Sequence, residues 1–485
     1  MNELAIELKA DAGEYLYLQI YEYIKREIRT GKLLRSEKLP STRSLAEHLQ
    51  VARSTVELAY SQLLAEGYIE SKPYKGYFIC SMEELFDFGG DFDREDGRNL
   101  KQPTEYLRNR HTNKSEESLA EFDFSTHAIS MKYFPFATWK KITKEILVDA
   151  NSEMFALGEA KGDYELRATI GRYLHAARGV NCEPEQIIIG AGNDYLLMLL
   201  EKILGSNICV AMENPTYRRA YKVFDSFGYQ MELLPMDENG ISIEALCNSD
   251  AKVAYIMPSH QYPTGVVMPI RRRMELLKWA ESEPERYLIE DDYDSEFRYK
   301  GKPVPALQAS DRSGKVIYIG TFSKSIAPAI RVGYMVLPRI LLEKYQESCG
   351  FYASTVSRID QRILNEFIRD GYFERYLNKM RKIYKEKHDY LLEQLADFAE
   401  AFAFSGENAG LHILLTSKRK IPARILVEAA GQEGVKVYNV ADAFLGEERA
   451  NEKYGYTVML GYGALEKEDI REGIARLRIA WKNYM

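Results

Sequence analysis

Lys324 stands in the run Thr321-Phe322-Ser323-Lys324-Ser325-Ile326-Ala327-Pro328-Ala329-Ile330-Arg331. The apolar stretch Val316-Ile317-Tyr318-Ile319 just before it reads as a buried strand. A lysine amine presented after a strand can form a Schiff base with an aldehyde. Thr321, Ser323 and Arg331 can hold a phosphate ester through two hydroxyls and a guanidinium. An aldehyde and a phosphate on one small molecule suggest pyridoxal 5'-phosphate (PLP). The plain alternative is a solvated lysine on an ordinary strand–loop turn, so other residues must supply the rest of such a site.

Several stretches offer those partners. Tyr287-Leu288-Ile289-Glu290-Asp291-Asp292-Tyr293-Asp294 is a strand ending in carboxylates, where α/β folds bind ligands. A buried carboxylate beside a pyridine nitrogen keeps it protonated and makes the ring an electron sink. Metal binding by the same carboxylates is the competing idea, but no accompanying histidine pattern supports it. Gly190-Ala191-Gly192-Asn193 joins a strand to a helix over 195–203, and small residues there let backbone N–H groups approach a phosphate. Tyr217, in the turn after strand 208–213, can stack on a planar ring. Arg219, two residues on, can face the carboxylate of an effector.

The elements that carry these residues alternate strand and helix from Phe122 onward, an α/β pattern with a mostly parallel sheet. The first eighty residues differ. Leu16, Ile20, Tyr23, Ile24 and Ile28 make one helical stripe, stopped by Gly31. Ser41 or Thr42 can cap a second helix running to Leu49. Val56, Ala59, Tyr60, Leu63 and Leu64 lie on one face of a third. Two short strands then flank Lys72-Pro73-Tyr74-Lys75. This is a winged helix-turn-helix over 14–80. Its third helix would enter the major groove with Arg53, Ser54, Thr55 and Glu57, while Arg43 would meet phosphate and the wing residues Lys72 and Lys75 the DNA backbone or minor groove.

Charge agrees with this division. The segment 14–80 has ten Lys/Arg against eight Asp/Glu, a local balance of +2 that leaves −9 for the rest of a chain of net charge −7. Local basicity is what attracts a phosphate backbone. Between 83 and 121 there are eleven Asp/Glu and six Lys/Arg, interrupted by Gly89-Gly90, Gly97 and Pro103. That stretch reads as a flexible acidic linker, 81–121, with a short helix near 104–110. No long apolar run or leader pattern is present, and the five cysteines are scattered, so a cytoplasmic chain with no membrane or metal role is expected.

The motifs carry a specific resemblance. Lys38-Leu39-Pro40-Ser41-Thr42-Arg43, Ala52-Arg53-Ser54-Thr55-Val56 and Leu64-Ala65-Glu66-Gly67-Tyr68 resemble the DNA-binding domain of GntR-type regulators, with Ala52 where that family usually has Ser. From 122 to 485 the chain resembles a fold-type I aminotransferase, with Asp291 placed 33 residues before Lys324. Ser259-His260-Gln261-Tyr262-Pro263-Thr264-Gly265 and Glu290-Asp291-Asp292-Tyr293-Asp294-Ser295-Glu296-Phe297 are similar to the wording of the MocR/GabR subfamily. The resemblance implies an α/β chain made of an N-terminal winged helix-turn-helix and a fold-type I PLP-dependent aminotransferase-like domain. That domain would have a mixed, mostly parallel sheet and a smaller C-terminal α+β subdomain, about 350–485.

The resemblance also implies roles. Lys324 carries the Schiff base, Asp291 meets the pyridine nitrogen, Tyr293 the ring hydroxyl, and Tyr217 stacks. Gly192, Asn193, Thr321, Ser323 and Arg331 hold the phosphate. Implied partners are operator DNA, an amino acid or amine effector, and a second copy in a domain-swapped homodimer. Two departures stand out. Tyr262 replaces the asparagine that precedes Pro-Thr-Gly in aminotransferases. Ala464 falls where an arginine clamps the substrate carboxylate, so GABA is not carried over as effector. The function expected is transcriptional regulation through sensing of PLP, an amino acid or an amine. An active aminotransferase with a DNA-binding appendage, and a repressor of vitamin B6 synthesis that senses PLP alone, stay open beside it.

Overall fold

The computed structural model describes residues 6, 8, 15–34, 36–73, 75–80, 120–148, 152, 154–299, 304–406, 409–446 and 454–485. The expected linker helix near 104–110 lies outside them. The chain divides into two compact units, Met1–His111 and Thr112–Met485.

Among its described residues the smaller unit holds three helices and a hairpin: α1 (Leu16–Arg29), α2 (Thr42–Leu49), α3 (Arg53–Ala65), β1 (Ile69–Lys72) and β2 (Gly76–Ile79). The stripe on α1 buries Ile20, Ile24 and Ile28 against Leu45 of α2 and Val56, Tyr60 and Leu63 of α3. Tyr60, fully buried, donates its hydroxyl to the Pro40 carbonyl at 3.0 Å, which ties α3 to the entry of α2. Ser41 caps α2 by accepting from the Ser44 N–H at 3.1 Å. The hairpin pairs Ile69 with Ile79 and Lys72 with Gly76.

Ala52 is the N-cap of α3 and offers no side-chain acceptor there. Ala52→Ser is therefore expected to raise the stability of this unit by about 1 kcal/mol, read as a later midpoint of its unfolding transition in urea. An unchanged midpoint would show that solvent already satisfies that turn.

In the larger unit an eight-stranded sheet has the order β4-β11-β10-β9-β8-β5-β6-β7. Its strands are β4 (Ile187–Gly190), β5 (Cys209–Asn214), β6 (Gln230–Asp237), β7 (Gly240–Ile241), β8 (Val253–Ile256), β9 (Tyr287–Asp292), β10 (Val316–Thr321) and β11 (Gly333–Val336). From β10 through β9, β8 and β5 to β6 the pairs are parallel, while β11 runs antiparallel to both of its neighbours. The central strands are buried on both faces, which explains why they read as apolar runs without alternation.

Two short strands, β3 (Phe122–Asp123) and β14 (Val435–Lys436), pair in parallel. A second, antiparallel sheet has the order β12-β13-β16-β15, from β12 (Phe402–Ser405), β13 (His412–Ser417), β15 (Tyr438–Asn439) and β16 (Thr457–Gly461). The mixed main sheet and the smaller α+β layer match the architecture expected from sequence. No helix among the described residues is long and apolar enough to cross a membrane.

Candidate cofactor site

The period of two along β9 sorts its carboxylates. Glu290 accepts from the N–H groups of Leu307 (2.7 Å) and Gln308 (2.9 Å). Asp292 forms a buried ion pair with Arg178 at 2.9 Å and accepts from Tyr318 at 2.6 Å. Asp291, between them, faces a cavity at the carboxyl ends of the parallel strands, the ligand side of such sheets. Asp294 pairs with His260 at 2.9 Å. The four carboxylates have four different sets of partners, so they do not converge on one metal position.

The cavity measures about 730 Å³. It brings together Asn193, Tyr217, Arg219, Asp291, Tyr293, Thr321, Ser323, Lys324 and Arg331 from segments far apart in sequence. Gly192 lies directly behind Arg331, because a Cβ built on it would meet Arg331 Nη2 at 2.5 Å. With φ of +87°, Gly192 is also the N-cap of the helix Asn193–Leu204, which starts two residues earlier than the sequence suggested. Arg331 is itself left-handed (φ +50°), and its guanidinium donates to the Ala191 carbonyl at 3.3 Å. Thr321 Oγ1 accepts from the Ser323 N–H (3.1 Å) and donates to Ser323 Oγ (3.0 Å). A helix N-terminus, two hydroxyls and an arginine thus form an anion cup at one end of the cavity.

Lys324 lies on the loop after β10, which is pinned by the buried side chains of Phe322, Ser325 and Ile326. Its Nζ donates to the Thr126 carbonyl at 2.9 Å and sits 5.1 Å from the centre of the Tyr293 ring. Desolvation lowers the lysine's pKa, and the Asp294 charge opposes that shift. Next to the helix start that contributes to this cup, Asp291 accepts from Tyr255 and from Asn193 Nδ2 at 3.3 Å. Burial pushes Asp291 up to about 7 despite those donors. It is a carboxylate that gains from a cationic or N–H partner.

The sequence reading missed several neighbours. Tyr255 is in the middle of an apolar strand, and nothing local marks its hydroxyl as functional. His127 lines the cavity, and burial lowers it to about 4. Tyr262, the residue in place of asparagine, lies within 3.3 Å of both Thr126 Oγ1 and His127 Nε2. Behind Tyr293 its hydroxyl is 3.1 Å from His260 Nδ1, which is held in turn by Asp294. Arg219 reaches the cavity mouth, but its guanidinium is engaged by Asp194, a partner the sequence did not announce.

Comparison with known proteins is consistent with this geometry. The aminotransferase class I and II family matches residues 129–439, and the gntR family of bacterial regulatory proteins matches residues 16–79. The Bacillus subtilis HTH-type transcriptional regulator YdeL is 40% identical over 96% of this chain and 97% of its own. MocR of Rhizobium meliloti, named as a probable rhizopine catabolism regulatory protein, is 31% identical over 98% of this chain and 95% of its own. The chain belongs to the MocR/GabR family. Among solved structures, the multiple substrate aminotransferase of Thermococcus profundus superposes with a TM-score of 0.67 at 25% identity, covering 80% of this chain and 96% of that one. The MocR/GabR architecture accounts for a winged helix and an aminotransferase fold on one chain.

Proposed function

We propose that the chain is a transcriptional regulator in which residues 14–80 bind double-stranded operator DNA. Residues 122–485 sense PLP, an amino acid or an amine through Lys324. The observation that carries this reading is the convergence of Lys324, Asp291 and the Arg331 cup on one cavity, in a chain that also has a winged helix.

The residues present fit PLP. Asn193 Oδ1 is buried without a hydrogen-bond partner beside the cup, Gly192 lets the Arg331 guanidinium approach where a Cβ would otherwise stand, and Asp291 has no ion-pair partner among the described residues. The anion cup would hold the phosphate, Asp291 the pyridine nitrogen and Tyr293 the ring hydroxyl, with Tyr217 against the ring face. Bound there, the cofactor supplies an aldehyde for a primary amine and a ring that withdraws electrons. Lys324 contributes a desolvated amine, held by the Thr126 carbonyl until it reacts. His260 and Asp294 position the Tyr293 phenol. An effector amine that took the place of the Lys324 amine at such a cofactor would leave Lys324 free beside the Thr126 carbonyl and Tyr293, a change of local charge of the kind that biases a two-state element.

Turnover is the second reading, because the amine and the acid are both in place. Against it, the cations lining the cavity are Arg218, Arg219, Lys222, Lys324 and Arg331, and none comes from the segment after β16, where Ala464 stands. A substrate carboxylate therefore lacks a clamp from that side. A homodimer with exchanged DNA-binding domains completes the proposal, and the exposed Phe155, Leu157 and Phe351 of the larger unit offer apolar surface for a second copy.

Gly192→Ala is expected to weaken PLP retention at least about tenfold, because a methyl group displaces Arg331. Equilibrium dialysis measures this, and unchanged retention would remove Gly192 from the cup. The function itself is tested by mobility shift on DNA upstream of the chain's own coding region, with and without PLP and a panel of amino acids and amines. A sequence-specific shift that an effector alters is expected. Absence of specific binding would overturn regulation, and steady turnover of an amino acid with a keto acid would favour the enzyme.

A further inference from the structure

The anion cup already holds an anion. Asp194 is the second residue of the helix Asn193–Leu204 and lines the same cavity as Arg331 and Arg219. One of its oxygens, Oδ2, accepts from Arg219 Nη2 and from Arg331 Nη2, the latter at 3.4 Å. The features that make this end of the cavity attract a phosphate are a helix N-terminus and an arginine, and both favour the Asp194 carboxylate for the same reason.

We propose that Asp194 is an internal competitor for the two arginines, so that its charge limits how tightly the cofactor's phosphate is held and links that phosphate to whatever anion Arg219 meets. The inference rests on reading the cavity as a PLP site. A phosphate entering the cup must share Arg331 with Asp194 and lie beside a like charge. Arg219 offsets that charge as long as it stays paired with Asp194. An effector carboxylate that draws Arg219 away leaves Asp194 with Arg331 alone, the same guanidinium the phosphate needs. By reciprocity, cofactor and carboxylate then weaken each other's binding by the same factor. Asp194 is a positioning residue here, acting through the two arginines rather than on the reacting atoms.

The test compares Asp194→Asn with the native full-length protein, using PLP and its phosphate-free counterpart pyridoxal as probes, at low and high salt. The variant is expected to bind PLP roughly tenfold tighter at low salt, with a gain that shrinks as salt screens these half-exposed charges. Pyridoxal binding should stay within about twofold of native, since no phosphate is there to repel. Asp194→Glu, which keeps the charge, should bind PLP as the native chain does. If Asp194→Asn misfolds, Asp194→Ser removes the same charge and is held to the same expectation. PLP binding equal to or weaker than native in the neutral variant would overturn the inference, as would an equal gain for pyridoxal. Native protein that binds neither probe would overturn the site reading and the inference with it. Native protein that binds PLP beside an unaltered variant overturns the inference alone.

Discussion

Lys324→Ala protein, incubated with PLP and reduced with borohydride, is expected to carry no covalent cofactor, whereas the native chain carries one group on the peptide containing Lys324. The expectation follows from position rather than from the mere presence of an amine. Lys222 lines the same cavity, but it is exposed near the mouth, on the helix Arg218–Ser226. Lys324 lies on a loop locked by buried neighbours, with its amine 2.9 Å from a carbonyl and beside the Tyr293 ring. Desolvation favours its neutral form, so it reacts at a pH where a surface lysine is still protonated. The labelling rate of the native chain should accordingly level off at lower pH than that of a surface lysine. Residual, non-covalent PLP should remain on Lys324→Ala, because the anion cup and Asp291 are untouched. Mass spectrometry of the reduced protein decides the matter. An adduct that persists on Lys222 in the variant, or native labelling spread over several lysines, would sink the assignment of Lys324.

The parts of the site legible in the sequence share a property: each is marked by its own neighbours in the chain. Lys324 follows a strand and precedes Arg331 by a short loop. Asp291 ends an apolar run, and Gly192-Asn193 opens a helix. The winged helix was legible for the same reason, since caps and apolar stripes are local signals, and Ser41 caps α2 as expected. What the sequence concealed is set by register and by packing between distant segments. Tyr255 reaches Asp291 only because β8 lies parallel to β9. Thr126 and His127 belong to an irregular stretch with no periodic signature, yet they form the wall facing Lys324. The sequence points Arg219 at an effector carboxylate through its place two residues after Tyr217 and the lack of an arginine at Ala464. Its pairing with Asp194 depends on the start of another helix, two residues earlier than the apolar pattern indicated. Like the cavity, these pairings rest on contacts between residues far apart in the chain, and a linear pattern does not show them.

At the other end of the chain, Arg53→Ala is expected to lower affinity for the specific operator roughly ten- to a hundredfold while changing binding to unrelated DNA far less. Arg53 is the first residue of α3, whose N-terminal turn is the part of a recognition helix that approaches base edges. In the free protein its guanidinium pairs with Glu57 one turn on, at 2.7 Å, and both side chains are largely exposed. An exposed pair of this kind contributes little, so exchanging it for a base edge costs little and gains a bidentate contact. Arg43 pairs with Glu47 in the same way at the start of α2, the helix that in this motif is expected to cross the DNA backbone. Arg43→Ala, like loss of the wing cations Lys72 or Lys75, should therefore weaken specific and non-specific binding together and reduce the salt dependence. The two patterns differ in kind, so their contrast tests the docking geometry more sharply than either variant alone. Titrations of Arg53→Ala and Arg43→Ala against operator and scrambled DNA at several salt concentrations supply it. Equal losses on both DNAs for Arg53→Ala would place that residue on phosphate and move base reading to Ser54 and Thr55 or to another surface of α3.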